Sequence, residues 1–201
     1  MSSTPTAPRR RRMSAAERRE AIIEAAVHEF AHGGLHGTPV DRIARAVGVA
    51  QPYVFSLFSS KRELFLAAVA RCFATVGDVF ERAAAAYDPT LAAAGTDMLS
   101  AMGQAYVEML ERDRDELMLQ HQSYAACDDP VVRDQVRAHY AELVAHVQRL
   151  SQAPPERIDQ FFSYGMWLNV AAAMGVPDIK AGCEWMLAEA GGAQPPGQPA
   201  G

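Results

Sequence analysis

Apolar residues recur along this chain with the period of helices. Ile22, Ile23, Ala26, Val27 and Phe30 form one stripe, and Val40, Ile43, Ala44 and Val47 form another at i, i+3, i+4, i+7. Sustained alternation with period two is missing, as are hairpin dipeptides between β-branched runs, so the pattern predicts an all-α fold. Punctuation sets the boundaries. Ser14-x-x-Glu17 is a capping box opening a first helix, which Gly33-Gly34 should stop. Thr38-Pro39 predicts an N-cap and first turn for a second helix, with Asp41 in that turn. After the turn Gly48-Val49-Ala50, a short third helix runs from Gln51 to Leu57, with Pro52 tolerable in its first turn. Ser60-x-x-Glu63 opens a fourth helix, expected to reach about Ala86.

Further breaks predict helices at 90–111 after Asp88-Pro89, at 114–126 after Arg112-Asp113, at 130–151 after Asp129-Pro130 and at 155–174 after Pro154-Pro155. A last one follows Pro177-Asp178 and ends near Ala190. The expected architecture is an N-terminal three-helix unit containing a helix-turn-helix. It is joined through the fourth helix to a C-terminal helical bundle, about nine helices in all. The expected divisions are a disordered basic arm at 1–13, the helix-turn-helix domain at 14–62, a ligand-binding and dimerisation bundle at 63–190 and a disordered tail at 191–201. Arm and tail lack a packed-core pattern.

Charge changes this picture. The 201 residues carry a formal net charge of −5, which taken whole argues against nucleic acid. Residues 1–65 hold ten basic and six acidic side chains, whereas residues 66–201 hold nine and eighteen. A basic head on an acidic body suggests that one part meets an anion and the other does not. Arg9–Arg12 could belong to an export signal, but no apolar stretch follows, so a cytoplasmic location is expected. No apolar run approaches the ~20 residues of a membrane span. The three cysteines, Cys72, Cys127 and Cys183, make neither a disulfide scaffold nor a zinc ribbon.

The third helix is about 10 Å long at ~1.5 Å per residue, a fit for a major groove about 12 Å wide. Its outward positions, Gln51, Pro52, Tyr53 and Ser56, are small, polar or aromatic. Gln51 can pair with adenine through both amide atoms. Phe30, Gly34, Thr38, Val40, Ile43, Ala44, Gly48, Val49, Val54, Phe55, Phe58, Ser60, Lys61, Leu64 and Phe65 stand in an order and spacing that resembles the DNA-binding domain of the TetR family of bacterial transcriptional regulators. The resemblance covers about residues 14–65. It implies a homodimer reading a double-stranded, palindromic DNA operator, with a variable bundle that binds a small-molecule effector. It also implies phosphate contacts from Thr38 and Lys61 and base contacts from Gln51, Pro52, Tyr53 and Ser56. Arg42, on the exposed side of the second helix, is placed to reach the backbone. Two positions depart from the family's usual pattern. Ala50 stands where a Ser or Thr would cap the third helix, and Phe55 stands where a tyrosine often reaches a phosphate.

Met and aromatic residues on the bundle helices suit an adaptable pocket. Met102, Tyr106, Met109, His121, Gln122, Phe161, Tyr164 and Trp167 are expected to line it, which implies a small apolar or aromatic effector. Trp167, Val170, Met174, Trp185 and Met186 are expected at the dimer interface, so Trp167 has two competing assignments. His28, His32 and His36 lie four apart, but Gly33-Gly34 should break the helix between them, and no metal or cofactor is expected. His139 and His146 read as surface or minor pocket positions. No catalytic motif is present, so an enzyme is not expected. The reading is a ligand-responsive repressor. The alternative is a small-molecule- or partner-binding helical module whose head binds DNA weakly.

Overall fold

The computed structural model describes residues 13–93 and 95–176, and within them eight α-helices and no strand. They are α1 (Ala15–Gly37), α2 (Val40–Ala46), α3 (Gln51–Leu57), α4 (Lys61–Ala86), α5 (Met98–Arg112), α6 (Arg114–Ala125), α7 (Pro130–Ser151) and α8 (Pro155–Ala173). The expected ninth helix, with Trp185 and Met186, lies outside the described residues, as do the Arg9–Arg12 run and the tail.

α1 begins at the expected capping box. Glu17 N donates to Ser14 Oγ at 3.1 Å and Ser14 N donates to Glu17 Oε2 at 2.6 Å. It does not stop at Gly33-Gly34. Gly34 takes φ +62° and ψ −176°, which bends the helix, and a last turn continues to Gly37. Only glycine adopts such angles without strain. α2 starts one residue later than expected. Pro39, not Thr38, is its N-cap, and no side chain caps it. Ala50 likewise leaves α3 without a side-chain cap. Ser60 Oγ accepts from Glu63 N at 3.1 Å, but the Glu63 carboxylate turns to Ser59 N instead of closing a reciprocal box.

The largest departure lies before α5. Asp88-Pro89 makes a turn rather than a helix start, with Leu91 N bonded to Asp88 O at 3.1 Å. The helix waits for Asp97, whose Oδ1 accepts from Ser100 N at 2.9 Å. The cap with a free carboxylate three residues before an amide decided the start, not the Asp-Pro pair.

Two apolar cores result. The first gathers Ile22, Phe30, Ile43, Val54, Phe58, Leu64 and Phe65 with Leu119, Val132 and Val136 from the bundle. Phe30 meets Phe65 edge-on, ring centroids 5.0 Å apart. The second gathers Val76, Phe80, Met102, Tyr106, Leu117, Val147 and Leu168. α4 supplies both, through Leu64–Phe73 and then through Val76–Phe80. The three-helix head is thus packed directly on α6 and α7, and one continuous helix, α4, runs from the head into the bundle.

Candidate nucleic-acid interface and buried cavity

α3 is held by one face. Val54 is fully buried, and Phe58, just past the helix, is 1 % exposed. The opposite face, Gln51, Pro52, Tyr53, Phe55 and Ser56, is open to solvent. Gly48, at φ +69°, makes the turn that sets α3 across α2, and Val49 N closes it on Ala44 O at 2.9 Å. Tyr53 and Phe55 are 37 % and 41 % exposed, an unusual cost for two aromatic rings. The Arg18 guanidinium lies 5.9 Å from the Tyr53 ring centroid, which sets a cation beside the exposed face. Ser56 Oγ donates to Tyr53 O at 2.7 Å, leaving an oxygen lone pair but no free proton.

The phosphate positions fare differently. Lys61 is half-buried at the start of α4 and donates to His36 O at 2.9 Å. Burial lowers its pKa, and the ammonium keeps further protons for another acceptor. Thr38 is a correction. It is 1 % exposed, and its hydroxyl donates inward to Glu29 O at 3.1 Å, so it clamps the α1–α2 junction instead of facing a phosphate. Arg42 is exposed, and its Nη1 reaches Glu29 Oε2 at 3.4 Å, a long contact that an anion of higher charge can replace.

The bundle holds a cavity of about 420 Å³, open to solvent on one side, among α4, α5, α6, α7 and α8. Phe73, Phe80, Tyr140, Phe161 and Phe162 make much of its wall. Its polar end is a buried trio. The Tyr106 hydroxyl lies 2.5 Å from Asn169 Oδ1 and 3.1 Å from Gln120 Oε1. It has one proton to give, and Gln120 Oε1 also accepts from Asn169 Nδ2 at 3.4 Å. Gln120 Nε2 is buried with no partner among the described residues. Burial drives the Tyr106 pKa up, keeping the phenol neutral. Arg157 also lines the cavity, and its guanidinium is bonded to Asp97 Oδ2 at 2.6 Å.

Of the eight expected lining residues, Tyr106, Phe161 and Tyr164 border the cavity. Five do not. Met102 and Met109 are buried in the second core, their side chains turned to neighbouring helices. His121 Nε2 is 3.2 Å from Asn169 O, outside the cavity wall. Gln122 faces the head beside Gly34. Trp167 packs against the second core with its indole N–H buried and unpartnered among the described residues. The sequence reading missed Gln120, Phe73, Phe80 and Tyr140. Gln120 had a visible signal, because Leu117, Gln120 and Tyr124 recur at i, i+3, i+7, whereas Gln122 falls off that stripe; His121, at i+4, shares it, and spacing alone does not separate it from Gln120.

Comparison with known proteins agrees with this geometry. Residues 22–68 match the model of the bacterial regulatory proteins of the tetR family. The HTH-type transcriptional activator FasR of Mycolicibacterium smegmatis is 42 % identical over 55 residues, 27 % of this chain. The match spans only 25 % of that relative's length. A TetR-family member from Streptomyces coelicolor A3 is 24 % identical with a TM-score of 0.62, covering 84 % of this chain and 95 % of that one. FadR from Bacillus subtilis, solved with stearoyl-CoA, is 15 % identical with a TM-score of 0.64, covering 78 % and 87 %. These two structures show a shared fold.

Proposed function

From a chain whose residues 22–68 match the tetR family of bacterial regulatory proteins, we propose a ligand-responsive repressor of that family that binds a palindromic operator as a homodimer. The observation that carries the reading is α3, pinned by Val54 and open along Gln51, Pro52, Tyr53, Phe55 and Ser56. A short helix with one exposed polar and aromatic face enters a major groove, where Gln51 meets base edges and the aromatic rings meet thymine methyls. Lys61 and Arg42 add backbone contacts that position without specifying.

The homodimer is supported by α8. Val170 and Met174, one turn apart at its C-terminal end, are 41 % and 54 % exposed, an apolar stripe on one side. Two copies related by a two-fold axis bury the stripe against itself and set the spacing of the reading helices.

The effector enters the cavity between α4 and α8. Its aromatic walls suit an apolar or aromatic body, and the Tyr106–Gln120–Asn169 end suits one neutral hydrogen-bonding group. α4 contributes Phe73, Val76 and Phe80 to the cavity and Leu64 and Phe65 to the head core. A ligand that favours another placement of α4 therefore favours another spacing of the heads, by no more than its difference in affinity for the two states.

The test is a gel-shift series with the full chain on DNA upstream of its own gene, at several salt concentrations. Specific, salt-sensitive shifts on a palindrome are expected. Equal weak binding to all duplexes would instead indicate a binding module with a residual head.

A further inference from the structure

His28 and His32 stand one turn apart on the exposed side of α1, with ring centroids 4.7 Å apart. Asp115, from the first turn of α6, comes to both. His28 Nδ1 is 2.6 Å from Asp115 Oδ2, and His32 Nδ1 is 3.8 Å from Asp115 Oδ1. One ligand atom from each of the three lies within 4.8 Å of the other two. His36, the third histidine of the run, is not part of the group; its carbonyl holds Lys61.

We propose that His28, His32 and Asp115 form a divalent transition-metal site, of the zinc type, that staples the head to the bundle. Two imidazoles and one carboxylate are a three-ligand set for such an ion, with water completing the tetrahedron. The metal–ligand bonds, about 2.0–2.2 Å long, require the donors to stand a little over 3 Å apart. Both imidazoles are exposed, and His32 Nδ1 gives up its present bond to His28 O at 2.8 Å when it turns to the ion. Imidazole excludes magnesium and calcium, which take oxygen ligands, and selects zinc, cobalt, nickel or copper. The cation replaces the proton now shared between His28 and Asp115.

The position gives the ion a consequence. α1 carries the first wall of the head, and α6 carries Gln120 of the cavity. A metal bridge between them fixes the one against the other, independently of what occupies the cavity. Bound metal thereby resists the relative motion that the repressor reading assigns to effector binding, and this consequence rests on that reading, whereas the site itself does not.

The test uses the untagged full chain, stripped with chelator, without DNA. Cobalt(II) is titrated and followed by visible absorption, with zinc added to displace it. One equivalent per chain is expected, retained by His36→Ala and weakened at least roughly tenfold by Asp115→Ala and by His32→Ala. Zinc should raise the melting temperature of the wild type and leave that of Asp115→Ala unmoved. His32→Ala alters an exposed side chain and decides the matter if the aspartate variant does not fold. Equal binding by wild type and His32→Ala, or no cobalt band in the wild type, overturns the site. Because no DNA is present, failure here is distinct from failure to bind an operator.

Discussion

Tyr106 and Asn169, 63 residues apart, meet at the polar end of the cavity with the phenolic oxygen 2.5 Å from Asn169 Oδ1. Tyr106 also touches Gln120, so α5, α6 and α8 share one buried proton donor. A buried polar network of this kind specifies how three helices meet, and it is expensive to break by half. Tyr106→Phe removes the one phenolic donor and leaves a buried amide carbonyl short, while Gln120 Oε1 keeps its bond from Asn169 Nδ2. The expected loss is about 1–3 kcal/mol of stability, read by urea unfolding. A loss within error would show that water takes the place of the hydroxyl.

Gly103 lines the cavity from α5, where an added Cβ would meet only Phe161 Cε2 at 3.6 Å. Gly103→Leu therefore fills the cavity rather than the core. Uptake of an apolar fluorescent probe should fall at least about tenfold, because the added side chain takes volume from a pocket whose walls are already close-packed. Operator binding should persist. Unchanged probe uptake would place the probe elsewhere.

On the reading head, Gln51→Ala and Tyr53→Ala should each cost about 1–3 kcal/mol of operator affinity and relax the preference among sequences. Lys61→Ala should weaken all duplexes alike and reduce the slope of log affinity against log salt by about 1. Base-selective loss from Lys61→Ala in quantitative gel shifts would contradict its assignment to the backbone.

Gly34 bends α1 at φ +62° and ψ −176°, and a Cβ there would fall 2.5 Å from Gln122 Oε1. Gln122 can swing aside, so the backbone angles carry most of the cost. Gly34→Ala should lose about 1–3 kcal/mol. Gly37→Ala, three residues on with open space around it, should stay within about 0.5 kcal/mol. Thermal unfolding of the pair distinguishes a conformational requirement from a general dislike of alanine.

Asp97 caps α5 and receives Ser100 and Arg157. The hydrogen bond from the Ser100 side chain, the Ser100 amide and the Arg157 guanidinium hold its carboxyl below the usual carboxylate range. Its contribution is present above the unfolded aspartate value, near ~3.9. It disappears as pH falls through the lower folded value. Asp97→Ala should cost about 0.5–2 kcal/mol at neutral pH as a lost cap. The gap between variant and wild type should begin to narrow at about pH 4 and close only below the lowered folded value, in melting curves taken across that range. A constant gap would assign the whole effect to packing.

Much of the head was legible beforehand because its signals are local. The Ser14 box, the Gly48 turn, Pro52 in a first turn and the stripe from Val40 to Val47 each act within a few residues, and helices α3, α4 and α7 start where their punctuation says. Thr38 was misread because a threonine before a proline offers its hydroxyl to two partners, the next turn or the previous helix. The packed α1–α2 junction chose Glu29 O. Met102 and Met109 were misread because an apolar stripe on a helix marks burial without saying whether a neighbour or a void lies against it.

The helical fold and the short third helix with its exposed face followed from periodicity and punctuation, and the division of charge between head and body from residue counts. These depend on contacts within one or two turns of chain. Which side chains border the cavity, and that Asp115 stands between His28 and His32, depended on how helices far apart in sequence pack. That choice is made by long-range burial: Leu119, Val132 and Val136 enter the head's own core. Leu119 draws α6 against α1 and Val132 and Val136 bring α7 to the same core, and residue spacing along one helix carries no record of the distance to another.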